Sequence, residues 1–143
     1  MSRLALRINA QIGTCSAVRQ FVEQTCATWQ VPSGVTDPLV LAVDEVVTNV
    51  IQHGYRGQSG EIEIDIERTP DAVVVTVSDQ APPFDPTRLP DPDITLPLEL
   101  RPEGGMGVYM ARRSVDGMTH QLTGQGGNQL TLTKKIAVPV EGR

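Results

Sequence analysis

The chain has 143 residues, twelve basic against seventeen acidic, a net charge of −5 and only five aromatic side chains. That length suits one domain whose core needs no metal or disulfide staple, and an acidic chain with so few rings lacks the clustered cations and stacking platforms of a nucleic-acid surface. No apolar run approaches spanning length and no signal-type segment opens the chain, so the reading is a soluble cytoplasmic protein with no membrane contact.

Leu4, Leu6 and Ile8 alternate with Arg3, Ala5 and Arg7, which predicts a short edge strand covered on one face. Over residues 14–29, Val18, Phe21, Val22, Cys26 and Trp29 keep a helical period, and the Pro32, Ser33, Gly34 cluster ends the segment. Cys15 and Cys26 share that helix about 16 Å apart, beyond disulfide reach, and read as buried thiols. A second helix follows, with Thr36 or Asp37 as its cap, Pro38 in its first turn and Gly54 as its stop.

Residues 44–55, DEVVTNVIQHGY, close that helix and organise the chain. Val43, Val46, Val47 and Val50 form one stripe, while Glu45, Asn49 and His53 recur every fourth residue on a separate face. A carboxylate and an amide at i, i+4 reach one ligand: the amide oxygen suits a hard cation such as Mg2+, and the carboxylate serves as base or orients water. The same spacing also describes an ordinary solvated face. His53 is either a structural hydrogen-bonding residue near the helix end or a contact to phosphate or to the lid described below.

Residues 61–67, EIEIDIE, alternate cleanly, with Ile62, Ile64 and Ile66 facing inward. After a turn at Thr69, Pro70 and Asp71, the nearly continuous apolar run of residues 72–78 suits a central strand paired with it. Asp79 follows directly, either capping a turn or projecting into a cleft. Residues 81–105 hold seven of the eleven prolines and few periodic apolar positions, the mark of a lid. GGMG then opens a short helix over residues 108–115, where the glycines form either a hinge or a phosphate cradle. Met106, Met110 and Met118 read as packing residues. Residues 118–123 and 128–136 form a last hairpin joined by GQGG.

Adjacent strands in this order predict a single α+β domain over residues 1–143: a two-layer sandwich of a mixed, mostly antiparallel sheet with three helices on one face. There is no GxxxxGK[ST] and no alternating βαβα order, so a P-loop or Rossmann protein is excluded. The remaining chemistry suits a nucleotide. An aspartate at Asp79 accepts a hydrogen bond from the exocyclic amine of adenine and disfavours guanine, which carries a carbonyl there. Glycines and a helix N-terminus admit phosphates, and Asn49 holds the magnesium that bridges them.

DEVVTNVIQHGY, SDQAPPFDP and GGMGVYMARRSVDGM, in this order and spacing, resemble the three motifs of the GHKL (Bergerat-fold) ATP-binding family, and within it the anti-sigma-factor serine kinases; the resemblance covers nearly the whole chain. It implies Glu45 as general base, Asn49 as magnesium ligand, Asp79 as adenine contact, and Gly104, Gly105 and Gly107 as the phosphate side of the lid, with Met106 and Val108 beside them. It also implies ATP and Mg2+ as cofactors, a STAS-type anti-sigma antagonist as substrate, a sigma factor as a further partner, and a homodimer. Two positions depart from the family pattern. Ala81 replaces a usual glycine and is expected to narrow the pocket near the base; Asn128 replaces a small hydroxyl residue and is expected to remove a minor contact. The alternative reading is a regulatory module that binds ATP to order its lid and captures a protein partner without phosphoryl transfer.

Overall fold

The alternation of residues 61–67 becomes strand β2 (Glu61–Arg68), in which Ile62, Ile64 and Ile66 are fully buried while Glu63 and Asp65 face outward. In the computed structural model, which describes residues 2–100 and 106–137, β2 pairs with β1 (Ser2–Asn9) and β3 (Ala72–Asp79). With β4 (Gly117–Leu122) and β5 (Asn128–Lys135) they form a five-stranded sheet in the order β1-β2-β3-β5-β4. Every pairing is antiparallel, so among the described residues the sheet has none of the mixed character expected of it. β3 is central, and the register sets Asp79 opposite both Ile62 and Asn128.

Three helices cover one face: α1 (Cys15–Thr28), α2 (Ser33–Asn49) and α3 (Met106–Ser114). α2 lies between the other two and packs on β3 and β5, while α1 reaches β1. Val43, Val46 and Val47 of α2 meet the isoleucines of β2 and Val73, Val75 and Val77 of β3 in one core. Burying each such side chain contributes about 1.5–3 kcal/mol, so this interface carries the domain. The opposite face is polar, bearing the ion pairs Arg3–Asp65 and Arg7–Glu63, each at 2.9 Å. Leu4, at the outer end of the edge strand, is 49% exposed, which confines the covered part of β1 to Leu6 and Ile8. Cys15 and Cys26 are buried free thiols.

The helix junction differs from expectation. Gln30 adopts a left-handed conformation (φ 57°), and the Val31 N–H donates to the Cys26 carbonyl at 2.9 Å, closing α1 with a motif usually built on glycine. The chain then turns at once into α2, where the Pro32 carbonyl accepts from the amides of Val35 and Thr36. Thr36 and Asp37 therefore lie inside the helix instead of capping it, and Pro38 falls in its interior. Pro38 has no N–H to donate to the Gly34 carbonyl, which belongs to an exposed residue. Nor does the helix stop at Gly54. It widens into a π-helical turn, Val50–Tyr55, and ends where Arg56 is left-handed (φ 53°) and Gly57 follows at φ 83°.

The described part of the segment 81–105 carries two 3-10 turns, Pro86–Arg88 and Leu98–Leu100. Its first half is anchored to α3, because Arg112 donates to the carbonyls of Thr87 (3.4 Å) and Leu89 (3.2 Å) and pairs with Asp91. Among the described residues no helix is long and apolar enough to cross a membrane.

Candidate functional site

Where α2 opens into its π turn, the end of the sheet, the start of α3 and residues 81–89 enclose a cavity of about 900 Å³. Cavities of this size hold small molecules and cofactors. Asn49, the last residue of α2, stands on the cavity wall, and the π turn that follows it brings His53 to the same wall and Gly54 toward Ala81. A Cβ on Gly54 would come within 3.1 Å of the Ala81 methyl, so the alanine that departs from the family pattern is accommodated by a glycine facing it. Tyr55 closes the turn. Its hydroxyl donates to the Glu61 carbonyl (2.6 Å) and accepts from the Gln80 amide (2.8 Å), tying α2 to the ends of β2 and β3.

Asp79 lines the cavity at the end of β3 and is 5% exposed. Its Oδ1 accepts from the Ala81 amide (2.9 Å) and from Asn128 Nδ2 (3.0 Å), and among the described residues Oδ2 has no hydrogen-bond partner. Burial pushes its pKa up, while Asn128, the Ala81 amide and His120 oppose that rise. The result is a fixed carboxylate with one oxygen left for a ligand.

Asn128 is the residue that sequence reasoning undervalued. Far from removing a minor contact, its side chain sits at the centre of the site. Nδ2 also donates to the carbonyls of Ala81 (3.3 Å) and Pro82 (3.1 Å), and Oδ1 accepts from the Phe84 amide (2.9 Å) and lies 2.8 Å from His120 Nε2. His120, whose side chain is 7% exposed, lies on the cavity wall with Nδ1 3.9 Å from Asp85 Oδ2. The available signal for His120 was the alternation of Met118, His120 and Leu122, which points it to the inner face of β4.

Asn49 is half-buried on the cavity wall, and its amide makes no hydrogen bond among the described residues. His53 stands exposed on the rim, with no hydrogen-bond partner among the described residues. Glu45 is set apart. It does not line the cavity; its carboxylate lies one helical turn away against Gly107 in the first turn of α3, where a Cβ would collide with Oε2. Val108 is buried and lines the cavity, Met106 begins α3, and Gly104 and Gly105 lie outside the described residues. Thus Asn49, His53, Asp79 and Val108 share one cavity, with Glu45 and Gly107 adjoining each other beside it. Among the described residues no group of three or more His, Cys, Asp or Glu side chains could hold a metal.

The model of the histidine kinase-like ATPase domain family matches residues 8–134. The serine-protein kinase RsbW of Bacillus cereus (strain AH187) is 31% identical over 104 residues, covering 70% of this chain and 64% of that protein. RsbW of Bacillus mycoides (strain KBAB4) is 30% identical over the same coverage. The chain therefore spans under two thirds of the length of these relatives. A solved structure of the RsbU and RsbW domains of Rv1364c from Mycobacterium tuberculosis superposes with a TM-score of 0.68 at 22% identity, covering 98% of this chain and 34% of that one, a likeness of fold.

Proposed function

This chain belongs to the histidine kinase-like ATPase domain family, and from that premise we propose that it is an ATP-dependent protein-serine kinase and anti-sigma factor of a partner-switching system. Its substrate in this reading is a serine of a STAS-type anti-sigma antagonist, its second partner a sigma factor, its working form a homodimer, and its place the cytoplasm. The observation that carries the reading is that Asp79 and Asn49, 30 residues apart in sequence, line one cavity beside Glu45 and the start of α3. The names of the 30–31% identical relatives support the kinase assignment.

In this site Oδ2 of Asp79, unpartnered among the described residues, accepts from the exocyclic amine of adenine. The purine packs among apolar wall residues such as Val50, Met118 and Leu130. The phosphate tail runs toward the N-terminus of α3, where Gly107 and Val108 present backbone amides and the helix dipole favours anions. Residues 81–105 close over it as a lid. The amide of Asn49, unpartnered among the described residues, would suit a magnesium ion held chiefly by phosphates and water, since such a site needs only one or two protein oxygens. That ion supplies charge neutralisation on the transferring phosphoryl group. Glu45 takes the proton of the incoming serine hydroxyl, a contribution of about 10²–10⁴-fold.

The test is incubation with γ-labelled ATP and a STAS-type antagonist. The reading requires phosphoserine on the antagonist and its loss in Glu45→Ala; no transfer, or transfer undiminished by that substitution, refutes it. One observation favours a second reading: Glu45 lies outside the cavity wall, which suits a module that binds ATP and captures a partner without transfer. Partner capture that Asn49→Ala weakens and Glu45→Ala leaves intact, with no phosphoserine formed, would select it.

A further inference from the structure

Asp79 makes a base-selecting contact only if it stays an acceptor and stays oriented, and three side chains, two of them remote in sequence, bear on both conditions. The orientation of the Asn128 amide is settled by its neighbours. One end faces three oxygens, Asp79 Oδ1, Ala81 O and Pro82 O, and so must be the NH2 group; the other faces the Phe84 N–H and His120 Nε2. Oδ1 can only accept, so His120 Nε2 carries a proton and donates it. Its other nitrogen, Nδ1, is turned toward Asp85 Oδ2 at 3.9 Å. Asp85 is itself fixed by Thr87, whose amide donates to Oδ1 at 2.9 Å and whose hydroxyl donates to it at 2.5 Å. The order Asp85, His120, Asn128, Asp79 thus runs from the loop after β3, through β4 and β5, back to the end of β3.

We infer that His120 is a positioning residue for nucleobase selection, acting through Asn128 to hold Asp79 as a fixed, acceptor-only carboxylate. The inference rests on the reading of Asp79 as the adenine contact and adds the device that enforces it. If the Asn128 amide rotated, its oxygen would face the Asp79 carboxylate and two carbonyls, and the carboxylate would lose a donor that favours its ionised form. A protonated Asp79 can donate, and it donates to the carbonyl of guanine as readily as the ionised carboxylate accepts from the amine of adenine. The His120 donor adds to the cost of that rotation alongside the Phe84 N–H, because both require an acceptor at the position of Oδ1. The buried side chain of His120 is therefore a choice of hydrogen-bonding chemistry as well as of volume.

The readout is the ratio of ADP to GDP affinity, measured by competition against a fluorescent ADP. Partial unfolding lowers both affinities by the same factor and cancels in the ratio, so a variant that is merely less stable leaves it unchanged. His120→Leu, which keeps bulk and loses the donor, is expected to lower the ratio about tenfold, the value of one buried hydrogen bond. His120→Gln, which keeps a donor, is expected to restore most of it. In an Asn128→Ala background, His120→Leu should change the ratio by less than about twofold, since the path to Asp79 is already cut. Leu and Gln variants with the same ratio, or equal effects of His120→Leu with and without Asn128, overturn the inference. If Asp79→Ala leaves the ratio at the wild-type value, the base reading fails and this inference falls with it; if Asp79→Ala abolishes the preference while His120→Leu does not, the inference alone fails.

Discussion

Gly107→Ala separates the chemistry of the site from its stability. The glycine occupies the second position of α3, where alanine is the better helix former by up to about 1 kcal/mol, and its φ lies outside the left-handed region. A new Cβ there meets Glu45 Oε2 well inside van der Waals contact, and the atom it meets is the far end of a flexible side chain. Glu45 must then withdraw by roughly 1 Å while the helices stay in place, and a misplacement of that size costs about 10²-fold in rate. Single-turnover transfer from ATP to an antagonist should fall about a hundredfold, with ATP affinity within about threefold of wild type and the melting temperature equal or higher. Transfer at the wild-type rate would refute the placement of Glu45 as the base. A large loss of melting temperature would refute the claim that only the carboxylate moves.

Asp79→Asn should weaken ADP binding about 10- to 100-fold, the value of a hydrogen bond to a charged acceptor, as read by calorimetry. The same substitution should not destabilise the empty protein at neutral pH. Burial raises the folded pKa of Asp79 above its ordinary 3.8, so the stability linked to its proton is fully present below that value and is lost as pH rises through the folded one. Wild-type melting temperatures should accordingly drop, relative to those of Asp79→Asn, as pH climbs from 3.8; parallel curves would contradict this. Tyr55→Phe removes the partner of both the Glu61 carbonyl and the Gln80 amide and should lower unfolding free energy in urea by about 1–3 kcal/mol, whereas an unchanged midpoint would mean that water replaces the hydroxyl. Arg112→Ala removes the anchor of residues 87–91, so their amides should exchange hydrogen faster while those of β3 do not; equal protection would show that the loop holds itself.

The parts of this fold that depend on period were legible in the chain. Ile62, Ile64 and Ile66 announce β2 by strict alternation, the valines of residues 43–50 announce the buried stripe of α2, and Glu45 and Asn49 separate from that stripe by spacing alone. What depends on backbone exceptions was not. Pro32, Ser33 and Gly34 look like a break because breakers usually are one, yet Gln30 makes the turn and frees Pro32 to start α2. The π turn has no residue signature, and it decides where His53 and Gly54 point. Asn128 was invisible as a hub for a different reason: its value lies in partners 44 to 49 positions away that only the register of β3 against β5 brings together. A local motif recorded the departure from family pattern and missed its replacement by a network.

All of these expectations meet in one measurement, calorimetric titration of ATP with magnesium into the wild-type chain and into Asn49→Ala and Asp79→Asn. The account predicts saturable binding to wild type, loss of the magnesium-dependent part of the affinity in Asn49→Ala, and a weakening in Asp79→Asn that persists without magnesium. No heat of binding to wild type, or two variants that bind as it does, would contradict the claim that this cavity holds an adenine nucleotide.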